Sequence, residues 1–119
     1  MARHERFLAW QRAHQLTLAV YESSGGWPVT ERYGLTAQAR RAAASIAANI
    51  AEGAARQGSR EFRRFLNIAL GSLGELDYHL RLARDLDMLD EEAWKRLVEI
   101  GGEAGRLIMG LKKSLDASV

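Results

Sequence analysis

Apolar residues recur every three or four positions through four long stretches of the chain, the spacing that gathers them on one face of an α-helix. In the first, about residues 6–24, the stripe consists of Phe7, Trp10, His14, Thr17 and Tyr21, with Ala13 and Leu18 beside it. Ser23-Ser24-Gly25-Gly26 ends this stretch. Trp27-Pro28 then opens an irregular connector to Tyr33-Gly34, and Thr36 is a suitable N-cap for the next helix. The second predicted helix, about 36–56, aligns Leu35, Ala39, Ala42, Ile46, Ile50 and Gly53. The third, about 59–86, starts from an N-cap at Ser59 and carries Leu66, Ala69, Leu73, Leu76, Leu80 and Ala83 in strict 3-4 alternation. The fourth, about 90–115, is capped by Asp90, with Leu89 and Trp94 placed as a hydrophobic staple. Its stripe is Trp94, Leu97, Gly101, Ala104, Ile108, Leu111 and Leu115. No segment alternates at period two for long enough to predict a strand. Four amphipathic helices joined mostly by short loops predict an all-α fold, an antiparallel up-down four-helix bundle.

Length and composition narrow this picture. At 119 residues the chain makes one domain, residues 1–119, because two would each be too small to bury a core. The absence of cysteine removes disulfide scaffolds, thiolate zinc sites and cysteine nucleophiles together, and suits a reducing cytoplasm. The start, MARHERFLAWQRAHQL, scatters charges where a signal peptide would need an apolar run, and no stretch is long and apolar enough to span a bilayer. A soluble, cytoplasmic protein is expected.

Small residues are not explained by a simple bundle. The second helix has ten alanines, and at 100° per residue Ala37, Ala44, Ala48, Ala51 and Ala55 gather away from the Ile46/Ile50 stripe. Alanine is the best helix former and tolerates exposure, so this face can be bland, or it can pack closely on another subunit. Glycines at 71 and 74 lie inside the third helix, opposite its leucines, and Gly101, Gly102, Gly105 and Gly110 lie inside the fourth. Each such glycine costs roughly 0.5–1 kcal/mol relative to alanine. Close approach of another backbone would offset that loss. Ala44, Ala48, Ala51, Ala55, Gly71 and Gly74 are therefore the candidate oligomer interface.

Charge is unevenly distributed. Residues 1–64 hold ten Lys/Arg against five Asp/Glu, a net of +5, whereas residues 65–119 hold seven against ten, a net of −3. The excess is entirely arginine, in Arg40, Arg41, Arg56, Arg60, Arg63 and Arg64 around the second and third helices, with Glu52 and Glu61 among them. Arginine stays ionised and grips phosphate bidentately, so the cluster is a candidate nucleic-acid contact; a solvated, salt-bridged surface is the bland alternative. Phe62 and Phe65 lean toward the core, so binding would be directed at the backbone rather than through base stacking.

Catalytic patterns are missing. His4, His14 and His79 are scattered, and Glu75 and His79 share a helix face without the Glu-x-x-His pairs of di-iron bundles. No phosphate loop, dinucleotide fingerprint or nucleophile elbow occurs. Asn49 and Glu52 sit beside the core stripe, where buried hydrogen bonds would fix helix register. No enzyme, no metal and no cofactor is expected.

These residues also carry a family pattern. Trp27-Pro28, Glu31-Arg32-Tyr33-Gly34-Leu35, Gln38-Ala39-Arg40-Arg41-Ala42-Ala43 and Ser45-Ile46-Ala47-Ala48-Asn49-Ile50-Ala51-Glu52-Gly53 form its first part. Glu61-Phe62, Phe65-Leu66 and Gly71-Ser72-Leu73-Gly74-Glu75-Leu76 complete it. Together they strongly resemble the four-helix bundle family of 23S rRNA intervening-sequence proteins, to which the accessory variability determinant of diversity-generating retroelements is related. The family often has proline where this chain has Ala47 and phenylalanine where it has Trp27. The resemblance implies an up-down bundle assembling as a ring-like homopentamer. For the retroelement branch it further implies a basic surface for nucleic acid and a reverse transcriptase partner.

The expected function is a non-enzymatic, oligomeric accessory protein that binds the RNA or DNA backbone through its arginine-rich surface. The alternative is a structural or protein-interaction module that recruits a partner, such as a reverse transcriptase, without touching nucleic acid.

Overall fold

Four helices account for most of the chain: α1 (Leu8–Ser24), α2 (Leu35–Ala55), α3 (Ser59–Asp85) and α4 (Glu91–Ala117). Two short 3-10 turns precede α1 and α2, at Arg3–Arg6 and Val29–Glu31. The structure is a computed structural model and describes residues 2–117; no strand occurs among them. α1 packs on α2 and α4, and α3 packs on the same two, so the four axes enclose one core in a body of 46 × 23 × 23 Å.

The core follows the apolar stripes of α2, α3 and α4. In α2, Leu35, Ala39, Ala42, Ile46, Ile50 and Gly53 are all buried, and in α3 so are Phe62, Phe65, Leu66, Ala69, Leu73, Leu76, Leu80 and Ala83. α4 contributes Leu97, Ile100, Ala104 and Ile108. The helix α1 differs from its expected stripe. Its buried positions are Ala9, Ala13, Leu16, Ala19, Val20 and, at its end, Ser24. His14 and Tyr21 are exposed, and Thr17 and Trp10 are only half-buried. The large side chains instead serve the surface: Trp10 stacks on His14 with 9° between the rings, and Tyr21 receives the Arg40 guanidinium on its face at 4.6 Å. Alanines share the inner face with only two larger apolar side chains, Leu16 and Val20.

Two helix starts also differ from expectation. Gly34 and Gly58, not Thr36 and Ser59, occupy the N-cap positions of α2 and α3. Gly58 has φ +87°, a left-handed conformation that a side chain would resist, so the chain turns there and Ser59 becomes the first helical residue. At α2 the Glu31 carboxylate accepts the Leu35 N–H at 3.0 Å and does the capping, which leaves Thr36 buried in the first turn. Asp90 caps α4 as expected, its Oδ1 accepting the Ala93 N–H at 2.8 Å, with Leu89 buried and Trp94 half-buried.

Close approach between α2 and α3 is set by Gly53. A Cβ there would lie 2.7 Å from Phe65 Cβ and 2.9 Å from Phe62 Cδ1, so only glycine lets the two helices meet just before their turn. Farther along, Ser45 and Ser72 hydroxyls meet at 2.8 Å, and Asn49 Nδ2 donates to the Ser45 carbonyl and hydroxyl at 2.8 and 3.0 Å. Small polar side chains thus hydrogen-bond across this interface while the helices remain in contact.

Candidate nucleic-acid interface

The site is organised by the turn Arg56-Gln57-Gly58 between α2 and α3. Because Gly53 draws the helices together, Phe65 lies 93% buried beneath the turn with one face open to guanidinium groups. Arg56 and Arg64 both seat on that ring, at 5.3 and 4.5 Å from its centroid. Each is further fixed by a carboxylate: Arg56 by Glu52 at 2.7 Å and Arg64 by Glu61 at 3.2 Å. Arg63 reaches across to Asp116 of α4 at 3.1 Å. Arg60 forms no ion pair among the described residues. A surface cleft of about 510 Å³ is lined by Arg60, Glu61, Arg63, Arg64 and Asn67.

Positive charge dominates this end. The Glu61 carboxyl titrates below its ordinary range, chiefly through the hydrogen bond from Arg64; desolvation opposes this, and the charges of Arg64, Arg56 and Arg60 add to the lowering. These ion pairs are solvent-exposed, so each holds its arginine in place weakly and leaves it open to exchange partners.

The structure does not gather all six arginines. Arg40 and Arg41 stand near the start of α2, and Arg40 is about 24 Å from Arg56 at 1.5 Å per residue. Arg40 is fixed elsewhere, donating from Nε to Ser24 Oγ at 2.8 Å and from Nη2 to the Tyr21 carbonyl at 3.2 Å. Arg41 donates to Gln38 Oε1 on an exposed face. Membership of the same two helices suggests one cluster, but more than four turns of α2 divide it in two. Other residues join the site from outside the expected set. Arg3 donates to the Ala54 carbonyl and lies over the Phe62 ring at 5.8 Å. With Arg56 it lines a pocket of about 130 Å³ at the same end. Lys112 and Lys113 precede Asp116 by about one turn on α4. Only the fold brings these distant segments to the turn, so no local motif signals them.

The small-residue positions are placed as follows. Ala48, Ala55, Gly71 and Gly74 are exposed, and Ala44 and Ala51 are half-exposed. A Cβ added at Gly71 or Gly74 would meet nothing within 4 Å. Gly105 is different, since a Cβ there would come 3.0 Å from Leu73 Cδ2. Packing inside the chain therefore accounts for Gly105 but gives no reason for glycine at 71 and 74.

Among the described residues no group of three or more His, Asp or Glu could hold a metal ion, and no helix is long and apolar enough to cross a membrane. His79 Nε2 meets Glu75 Oε2 at 3.0 Å as an isolated pair.

The profile of the 23S rRNA-intervening sequence proteins matches residues 5–110, nearly the whole of the bundle. The chain belongs to that family. A solved structure similar to this intervening-sequence protein is a protein of unknown function from the S23 ribosomal protein family of Bacteroides thetaiotaomicron. The two superpose with a TM-score of 0.78 at 23% identity, over 89% of this chain and 99% of the other, a likeness of fold. No curated protein matches the sequence.

Proposed function

We propose that this intervening-sequence protein is a non-enzymatic, oligomeric accessory protein of the cytoplasm that holds the RNA or DNA backbone against its α2–α3 turn. The observation that carries this reading is the arrangement around Phe65: two guanidiniums fixed on one buried ring, beside an unpaired Arg60 and an open cleft. Such an array presents positive charge at set positions and no aromatic face to a base, which favours phosphate contact over sequence readout. The subunit is an up-down antiparallel bundle in this reading, supported by the cross-contacts Arg3–Ala54, Ser45–Ser72, Arg63–Asp116 and Arg12–Glu103. The exposed Ala48, Gly71 and Gly74, with Ile68 41% exposed beside them, support self-association into the ring-like homopentamer that the family resemblance suggests.

Labelled RNA titrated across a salt series tests the reading. Affinity should fall steeply with salt, and Arg60→Glu, Arg63→Glu and Arg64→Glu together should weaken binding by roughly a hundredfold or more without changing the oligomer mass. No binding at low salt would shift the function to recruitment of a protein, such as a reverse transcriptase, by the exposed α2–α3 face. Ala48→Glu or Gly71→Leu should break the oligomer in light scattering while leaving the helical circular dichroism intact. A wild-type mass near that of one chain, 13.3 kDa, would refute the assembly.

A further inference from the structure

A second anion-seeking place lies at the opposite end of α2. Between the end of α1, the connector and the first turn of α2 there is a cavity of about 140 Å³, whose lining includes Ser24, Trp27, Arg32, Thr36 and Arg40. Thr36 is 92% buried, yet its hydroxyl has no hydrogen-bond partner among the described residues, and its oxygen is not among the enclosed polar atoms. What remains accessible of this side chain includes the hydroxyl, on the wall of the cavity. The hydroxyl therefore opens on the cavity with no partner among the described residues, free to bond whatever occupies that space.

The rest of the wall is rich in donors and poor in acceptors. Arg40 is half-buried and bonded only to neutral oxygens, Ser24 Oγ and the Tyr21 carbonyl, with no carboxylate within 4.0 Å among the described residues. Two of its five N–H groups are used in this way, which leaves Nη1 free. Arg32 likewise forms no ion pair among the described residues. The carboxylate of this loop, Glu31, is committed to the Leu35 N–H. The Thr36 and Ala37 N–H groups, in the first turn of a 21-residue helix, have no acceptor among the described residues. Trp27 also lines the cavity, and its indole N–H is enclosed without an acceptor among the described residues.

We infer that this cavity binds a phosphoryl group. The half-buried Arg40, the exposed Arg32 and Thr36 line this space beside the unpaired N–H groups of the helix start, a donor set that suits the three terminal oxygens of a tetrahedral oxyanion. The volume equals fewer than about five waters, enough for phosphate and too small for a nucleoside. Thr36 is about 30 Å along α2 from Arg56, so the site is separate from the surface proposed above and does not depend on it. The phosphoryl group is free phosphate or the phosphomonoester end of a strand.

The test is titration with orthophosphate at constant ionic strength, chloride being the reference anion, followed by ³¹P line broadening and calorimetry. The whole chain should bind saturably. Thr36→Val, which keeps the shape and removes the hydroxyl, and Arg32→Ala should each weaken binding about tenfold with unchanged thermal melts. Arg60→Glu with Arg64→Glu should leave phosphate affinity as in the wild type. A 5′-phosphorylated oligonucleotide that displaces orthophosphate better than its 5′-hydroxyl twin identifies a strand end. Equal displacement identifies free phosphate, and either result keeps the site. Binding that does not saturate, that ignores both Thr36→Val and Arg32→Ala, or that falls equally in the Arg60/Arg64 variant overturns it.

Discussion

The two turns that flank α3 use the same parts to opposite effect. At the α2–α3 turn, Arg56 and Arg64 seat on Phe65; at the α3–α4 turn, Arg84 seats on Trp94 at 4.3 Å. Both turns contain a left-handed residue, Gly58 at φ +87° and Asp87 at φ +60°. The difference lies in the carboxylates. Arg84 is held by Glu91 at 2.8 Å and approached by Asp85 at 3.7 Å, and Asp87 and Asp90 line the same pocket. The hydrogen bond from Arg84 to Glu91, followed by the charges of Glu91 and Asp85, raises the Arg84 pKa further above its ordinary value. An arginine on an aromatic ring is therefore a structural strut at one end of α3 and a candidate ligand grip at the other. The local balance of acids decides which.

The largest expected effect separates the two ends directly. Reversing Arg60, Arg63 and Arg64 should weaken RNA binding by roughly a hundredfold or more and flatten the salt dependence by about 2 to 3 units of slope. Arg81→Glu with Arg84→Glu should leave both unchanged, and equal losses at the two ends would erase the contrast. Next comes Gly53→Ala, which forces a carbon to 2.7 Å from Phe65 Cβ. It should cost about 1–3 kcal/mol in urea unfolding and weaken RNA binding by loosening the seat of Arg56. A smaller loss, about 1 kcal/mol, is expected for Asp90→Ala through removal of the α4 cap, with RNA affinity unaltered.

The smallest effect concerns Glu61. Its folded pKa lies below the ordinary value, so its stabilising contact is complete above that value and is lost as pH falls through the lowered one. Protonation also frees Arg64. Glu61→Gln should tighten RNA binding a few-fold at neutral pH and remove the matching rise in wild-type affinity on acidification. An unaltered pH profile in the variant would show that Glu61 does not compete for Arg64.

How far the sequence carried the structure depended on which side chains did the packing. In α2 and α3 the inner positions are leucine, isoleucine and phenylalanine among alanines, so the spacing alone marked the core face. In α1 the bulk misled: Trp10, His14 and Tyr21 drew the predicted stripe, whereas Ala9, Ala13 and Leu16 face the core. Alanine carries little hydrophobic signal, and its burial is decided by a neighbour's closeness. Thr36 and Ser59 were plausible caps until backbone geometry gave those positions to the glycines before them. The basic end was half legible. Arg56, Arg60, Arg63 and Arg64 are close in sequence, while Arg3, Lys112 and Lys113 arrive by tertiary packing. The separation of Arg40 from Arg56 is a matter of helix length, which a residue count along the chain obscures.

Phe65 has one more consequence. A free arginine side chain gives up as much as about 1.5–2 kcal/mol of rotamer freedom when it is immobilised. Arg56 and Arg64 have already surrendered much of theirs to the ring beneath them, before any strand arrives. A phosphate meeting them orders less than one meeting Arg60, which rests on no ring and in no ion pair among the described residues. Phe65→Leu, which alters no charge, would return that disorder to the pair.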